Sequence, residues 1–333
     1  MINVGLIGFG YWGPNVARNL HENSGIKLKW ICDKNKERLD KAKNIYVSET
    51  EYTDNYKDIL DDSDVEVVAV ALGTSAHFKF TKEALLSGKH VYVEKPFTST
   101  VKEAEELKKL SIDLGLKIHV NHIMVYHPII NKIKDLVDSN EIGDILYIDA
   151  MRMNLGQIRN DVSAMWDLAV HDLTIIDFIT NGAEPKHISA MGEKFYNPKE
   201  SLCFLNIKYP SFISHIQSSW ISPLKERKLI IAGTKKMIVF DDMKSSEKLM
   251  VYDKGVDIVS GKGVEYDDYA VKTREGDIWI PFIEQEDALY NSIESLRLSI
   301  LNDAEIKTDP DQAIRIQKIL EEADSSMTYQ DKS

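Results

Sequence analysis

Cysteine is nearly absent. Cys32 and Cys203 are the only two, far apart and in no metal-ligand or redox spacing. That excludes a disulfide framework and a cysteine-based zinc site. Both lie in apolar, strand-like runs and are expected to be buried free thiols. Cationic excess is absent too: 41 Lys and Arg against 53 Asp and Glu give a net charge of −12, so nucleic acid and anionic membrane are not expected partners. No apolar run approaches the roughly 18 residues of a membrane span. The N-terminus has no basic, signal-like region, and Val4–Gly8 reads as a buried strand. Internal repeats and low-complexity linkers are missing as well. A soluble cytoplasmic protein is expected, long enough at 333 residues for two domains.

What is present alternates. Apolar runs at Asn3–Gly8, Lys27–Asp33, Val65–Ala71, His90–Glu94 and Lys117–Val120 read as strands. Helical patterns lie between them at Pro14–Asn23, Lys34–Lys43, Phe78–Ser87 and Val101–Leu114. Continuous stretches such as "VEVVAVA" suit strands covered on both faces. The rhythm predicts an α/β fold: an N-terminal, doubly wound parallel sheet of Rossmann type. After His122 the pattern changes. Helices are expected at Pro128–Ser139, Met165–Thr180, Gln285–Leu301 and Pro310–Ala323. Strands at Ile145–Arg152, His187–Phe195, Ser201–Tyr209, Phe212–Ile221, Lys228–Ala232 and Lys236–Asp241 include two hairpins, "NIKYPSFISHIQSSW" and "LIIAGTKKMIVF". The polar stretch Val251–Gly276 gives no clear pattern. The division is therefore a dinucleotide-binding domain over 1–122 and an α+β domain over 123–333, largely antiparallel, whose last helices can pack back on the first.

Gly8-x-Gly10-x-x-Gly13 follows a predicted strand and opens a predicted helix, the context that makes this spacing a dinucleotide loop. Gly8 permits the tight turn, Gly10 a close approach of backbone to pyrophosphate, and Gly13 close helix–strand packing. Tyr11 and Trp12 fill the free positions and can cover the cofactor or pack as rings. Pro14 falls where a first helical turn tolerates it. Asp33 ends the second strand 20 residues after Gly13. Its carboxylate can accept from a ribose 2′-hydroxyl and favours NAD over NADP, although Lys34 and Lys36 beside it can shelter a 2′-phosphate. Thr74 and His77 follow the third strand, where the nicotinamide half would pass; Thr74 and Ser75 are equally suited to cap a helix.

"VEKPF", Val93–Phe97, and "WDLAVHD", Trp166–Asp172, carry a resemblance to the glucose–fructose oxidoreductase/inositol dehydrogenase/MocA family. "GYWGPN", "NHIMVYHP" and "RMNLGQIRNDVSAMWDLAVHD" are similar to the nucleotide-sugar branch of that family, which includes UDP-N-acetylglucosamine 3-dehydrogenases. Asn121 stands where that branch often has glycine, and Val170 where it often has proline. The resemblance implies NAD(P)-dependent oxidation of a ring hydroxyl or the reverse reduction. It also implies a cofactor held near Glu94, Lys95 and Pro96, with a cis bond at Pro96, and a homodimer or homotetramer formed through the C-terminal sheet.

Oxidising a secondary alcohol needs a hydride acceptor and a base. Asp167 and His171 lie four apart and share a helix face. The imidazole can take the proton and the carboxylate can hold a sugar hydroxyl. Lys95 can lower the pKa of the reacting hydroxyl. These three are the candidate catalytic residues, and either Lys95 or His171 can move the proton. Arg152, Asn154, Gln157 and Arg159 precede the helix. Their guanidinium groups can hold a substrate diphosphate or face solvent from a loop. His122 and Tyr126 follow the last Rossmann strand; Tyr126 can bond a sugar or pack as an interface ring. His119, His122 and His127 fit no metal spacing, and no metal is expected.

These residues point to an NAD-dependent enzyme oxidising a ring hydroxyl, C3 by the resemblance, of a UDP-N-acetylhexosamine-type substrate. The alternatives are an inositol or free-pyranose dehydrogenase, a nucleotide-sugar ketoreductase, and a non-catalytic dinucleotide-binding regulator.

Overall fold

The computed structural model of the chain describes residues 1–46, 50–259 and 270–327. Contacts divide it into two units, Met1–His127 with Gln285–Glu321 and Pro128–Glu284 with the chain from Glu322. The junction thus lies between His127 and Pro128, where the sequence pattern placed it after His122.

The first unit alternates strand and helix: β1 (Ile2–Ile7), α1 (Gly13–Glu22), β2 (Ile26–Cys32), α2 (Lys36–Ile45), β3 (Glu51–Thr53), α3 (Lys57–Asp61), β4 (Val67–Val70), α4 (Thr74–Leu86), β5 (His90–Val93), α5 (Val101–Leu114) and β6 (Ile118–Val120). Its sheet is parallel, in the order β3-β2-β1-β4-β5-β6. The order reverses between β1 and β4, and an open α/β sheet binds ligands at the carboxyl end of its strands at such a switch point. The central strands β1 and β4 are largely apolar because both faces are covered. Ile2, Val4 and Leu6 enter one buried cluster with Val16 and Leu20 of α1. Val68, Val70, Val91 and Val93 enter another with Ala84 and Leu85 of α4. The helices Ala288–Asn302 and Pro310–Ser325 come back to these cores: Leu289, Ile293 and Leu296 join the first cluster, Ala313 and Ile314 the second. Three elements differ from the sequence pattern. β3 and α3 are too short to show a period. α4 opens at Thr74 because Gly73 takes the N-cap position, so neither Thr74 nor Ser75 is the cap.

The second unit holds α6 (Pro128–Asp138), β7 (Ile145–Leu155), α7 (Val170–Ile179), β8 (His187–Glu193), β9 (Leu202–Lys208), β10 (Ile213–Ser219), β11 (Ile221–Gly233), β12 (Met237–Asp241), β13 (Leu249–Val259) and β14 (Ala270–Trp279); the two returning helices are α8 and α9. The sheet runs β14-β13-β12-β11-β7-β10-β9-β8. Its pairs are antiparallel except β10 with β7, which are parallel. Both expected hairpins form, as β9–β10 and β11–β12. The polar stretch around Val251–Gly276 contributes β13 and β14, an antiparallel pair at the sheet edge; residues 260–269 lie outside the described ones. Alternate side chains, such as Ile148 and Ala150 of β7 and Leu205 and Ile207 of β9, are buried on one face. Cys32 and Cys203 are buried free thiols, each pushed up to about 12 by burial. Among the described residues no helix is long and apolar enough to cross a membrane.

Candidate active site

The glycine turn leaves the end of β1. Gly8 has φ +102°, and a Cβ there would stand 2.4 Å from the Ala71 carbonyl oxygen. A Cβ on Gly13 would meet the Gly8 carbonyl oxygen at 2.4 Å. These two positions therefore admit only glycine. Gly10 is different: a Cβ there would meet only Arg38, so its backbone borders open space. The cradle fits a pyrophosphate lying against main-chain N–H groups at the start of α1. Pro14 sits in the first turn of that helix and Trp12 at its N-cap. The two aromatics part company. Tyr11 is 91% exposed, whereas Trp12 packs against the first core.

Asp33 closes the turn from behind. Its Oδ2 accepts from the Phe9 N–H at 2.7 Å and its Oδ1 from the Asn35 N–H at 2.8 Å. A buried carboxylate at a strand end is thus fixed by two backbone donors.

Glu94 follows β5 and is buried. It accepts from Asn121 Nδ2 at 2.6 Å. Trp12 Nε1, buried without a hydrogen bond of good geometry, stands close enough to favour its ionised form. Burial outweighs these donors and the Lys95 charge, and the carboxyl is pushed up to about 7 from 4.5. An acid whose folded pKa is raised binds more protons folded than unfolded. Its penalty is absent below the unfolded value and grows as pH rises from about 4.5 to about 7. Glu94→Gln is accordingly expected to flatten the pH dependence of stability, recovering up to ~3 kcal/mol at about pH 8 relative to about pH 5. Urea midpoints at the two pH values check this, and an equal slope in both proteins would refute it.

The Lys95–Pro96 bond is cis, and Lys95 follows Glu94 directly. His77 is fully buried between two carbonyl oxygens, that of Pro96 at 2.8 Å from Nδ1 and that of Leu72 at 3.0 Å from Nε2. It therefore joins the start of α4 to the Lys95–Pro96 bend. His122 meets Gln312 Oε1 at 3.1 Å. The Tyr126 hydroxyl lies 3.1 Å from Thr308 Oγ1, and its ring stacks on His119. Burial pushes that hydroxyl up to about 12. Tyr126 is thus engaged by Thr308 and His119 inside its own unit. His119, stacked on Tyr92 and bonded at Nε2 to Ser292, is brought down to about 3 by burial. Among the described residues no group of three or more His, Cys, Asp or Glu could hold a metal.

The second unit carries the other candidates. Residues Met165–Ala169 form a π-helical turn leading into α7. Such turns are rare and concentrate at functional sites. Asp167 stands in the turn. Its Oδ1 accepts from Arg159 Nη1 at 3.0 Å and its Oδ2 from Trp220 Nε1 at 3.3 Å. Arg159 also forks onto both oxygens of Asp161. His171 follows in α7, half-buried. The next residue, Asp172, is buried and receives Arg152 Nε at 3.0 Å and Nη2 at 2.8 Å. Of the two arginines expected for a diphosphate, Arg152 is paired with Asp172. Asn154 lies on β7 and is half-buried. Sequence reading missed Arg38, Asp172 and Trp220. Asp172 was already in the quoted motif, and its position beside His171 was the available signal. Trp220 gave none.

Fold and site define the first unit as a dinucleotide-binding Rossmann unit in a protein with a second, mixed-sheet unit. Residues 2–122 match the model of an oxidoreductase family with an NAD-binding Rossmann fold, and residues 130–239 match the GFO/IDH/MocA C-terminal domain. The chain belongs to the GFO/IDH/MocA oxidoreductase family. It is similar to the inositol 2-dehydrogenase of Salmonella typhimurium, 24% identical over 68% of this chain and 66% of that one. It is also similar to the UDP-N-acetylglucosamine 3-dehydrogenase of Acidithiobacillus ferrooxidans, 31% identical over 39% of this chain and 40% of that one. The chain thus spans less than two thirds of the length of these curated relatives. The solved structure of UDP-N-acetylglucosamine 3-dehydrogenase GnnA from A. ferrooxidans shares the fold, with a TM-score of 0.80 at 22% identity over 98% of this chain and 97% of that one.

Proposed function

We propose that the chain is an NAD-dependent dehydrogenase that oxidises a ring hydroxyl, at C3, of a UDP-N-acetylhexosamine-type nucleotide sugar, giving a keto sugar for surface-glycan or amino-sugar biosynthesis. The observation that carries this is the Asp167–His171 pair on one helix, its carboxylate oriented by Arg159 and Trp220, in a chain that also has Lys95 beside a buried acid. When bound, the nicotinamide supplies the hydride acceptor. Lys95 brings a cation to the reacting hydroxyl and lowers its pKa. His171 takes the hydroxyl proton on its ring nitrogen. Asp167, held on both oxygens, presents a fixed edge to the sugar. Presence of all three groups argues against a regulator without catalysis. The relative named as a UDP-N-acetylglucosamine 3-dehydrogenase supports the sugar class, and Arg159 is the cation next to Asp167 for a diphosphate.

One observation favours a second reading, an inositol or free-pyranose dehydrogenase: with Arg152 held by Asp172, the diphosphate has lost one of its two expected clamps. The test is direct. With NAD, UDP-N-acetylglucosamine is expected to give reduced cofactor, and free inositol and glucose are not. Turnover of the free polyols alone would install the second reading.

The outer face of the second sheet supports a homodimer or homotetramer. Tyr147 and Ile213 pair across β7 and β10, and with Met191 and Ile278 they are exposed apolar groups of that sheet. Light scattering of the purified protein should give a multiple of the 37.9 kDa chain mass; a monomer would refute it.

A further inference from the structure

β5 and β6 run side by side, with Val93 opposite Val120. The first residue past each strand is therefore a neighbour of the other: Glu94 after β5, Asn121 after β6. The Asn121 main-chain N–H donates to the Val93 carbonyl oxygen at 2.8 Å, and both Glu94 and Asn121 are buried. Asn121 Nδ2 donates to Glu94 Oε1 at 2.6 Å. On its other side Asn121 Oδ1 accepts from Ser292 Oγ of α8 at 3.4 Å. Ser292 also meets the Tyr92 hydroxyl at 3.1 Å and His119 Nε2 at 3.0 Å. A serine hydroxyl has one hydrogen to give and two lone pairs to receive with. With that hydrogen turned to Asn121, the Tyr92 O–H and the His119 Nε2–H both point at Ser292. Neutral His119 has a single ring N–H to place, and its Nδ1 is buried with no partner. Every donor in the cluster then points one way, toward the Glu94 carboxylate.

We propose that Asn121 is a positioning residue of this enzyme: backed by Ser292, it keeps Glu94 a carboxylate, and that carboxylate holds Lys95 by its main-chain N–H and its charge. The proposal rests on the dehydrogenase reading, in which Lys95 serves the reacting hydroxyl. An amide N–H bonds a charged oxygen more strongly than a neutral one, so it favours the ionised acid. Ser292 on Oδ1 opposes the amide flip that a protonated Glu94 would call for. The groups acting on Glu94 are few. Burial pushes it up, while the Asn121 amide, the Lys95 charge, the Lys95 main-chain N–H and the Trp12 indole pull it down. Burial keeps Tyr92 protonated, with Glu94, Tyr126 and Asp287 adding to the effect. Burial also keeps His119 neutral, with His122 behind it. Neither ring therefore brings a competing charge. Glycine at 121, which the similar nucleotide-sugar branch often carries, would leave Glu94 without its side-chain amide. Protonation of Glu94 removes the charge beside Lys95 and weakens the hold on the lysine at the bend.

The experiment has two arms, both on the whole protein. In the first, urea midpoints are measured without ligand at about pH 5 and about pH 8 for wild type, Asn121→Ala, Asn121→Gly and Ser292→Ala, each also in a Glu94→Gln background. Loss of the amide raises the folded pKa of Glu94 further, so more stability is lost as pH rises. The midpoint should therefore fall more steeply toward high pH in both Asn121 variants and by a smaller margin in Ser292→Ala. In the Glu94→Gln background no variant should steepen it. In the second arm, the acid limb of kcat/KM for UDP-N-acetylglucosamine with NAD should move up by about one pH unit in both Asn121 variants. His171 can give an acid limb of its own, and the Glu94→Gln background separates the two. A fall in rate equal at all pH values, a limb shift retained with Glu94→Gln, or an unchanged slope of the urea midpoints overturns the proposal. If wild type reduces NAD with neither UDP-N-acetylglucosamine nor inositol, the dehydrogenase reading itself fails. The urea arm still reports the Asn121–Glu94 pair in that case, so the two failures are distinct.

Discussion

His171→Ala is expected to lower kcat by about 10²- to 10⁴-fold while the protein still binds NAD with its wild-type affinity. The imidazole is the group assigned to carry the proton away, while Asp167 accepts from Arg159 and Trp220. Removing it leaves the alkoxide proton to water. NAD binding, measured by calorimetry, is the control, because the glycine turn and Asp33 belong to the other unit. Lys95→Ala should lower kcat comparably. Wild-type turnover in His171→Ala would assign proton transfer to Lys95.

Arg152→Ala carries the second large effect, and it falls on stability. The guanidinium donates to both oxygens of Asp172, and both side chains are buried. Nearby Asp172 and Asp242 hold Arg152 above its ordinary value despite burial. Deleting one partner strands a buried carboxylate, at a cost of about 3–5 kcal/mol. An apolar pair of similar volume, Arg152→Met with Asp172→Leu, should recover most of the loss. Urea and thermal unfolding of the three proteins measure this. The outcome that would sink it is an Arg152→Ala protein of unchanged stability with a raised KM for a UDP-sugar, which would return Arg152 to the substrate diphosphate.

Much of the Rossmann half was legible. Strand, glycine turn and helix follow one another in twenty residues, and "VEVVAVA" could be read as doubly covered because alternation is absent. The EKP bend and the Asp167–His171 spacing also stood in plain view. The rest depended on contacts across the chain. Nothing local marks the π-turn, since an extra residue per turn leaves the Met165–Ala169 pattern looking helical. β14 reads as polar because it is the edge strand, and its side chains from Lys272 to Trp279 are exposed or half-buried. Arg152 finds Asp172 across 20 positions and Asn121 finds Glu94 across 27. Such pairings decide which polar residues brace the fold and which remain for substrate. Single-sequence spacing carries no record of them. Arg38 was readable only as a helix residue until the turn of α2 brought it to Asp33.

The return of α8 and α9 to the first unit has a consequence for biosynthesis. Leu289, Ile293 and Leu296 are part of the core that β1 and α1 begin, so that core cannot close when β6 leaves the ribosome. At about 5–20 residues per second, the missing helix follows His127 by on the order of ten seconds or more. Throughout that interval α1 lies on the nascent sheet but the part of its core that α8 fills stays open, and residues 128–284 are translated in the meantime. The first unit is therefore completed only after residues 128–284 of the second have been made, and the second in turn takes its last segment from Glu322 onward.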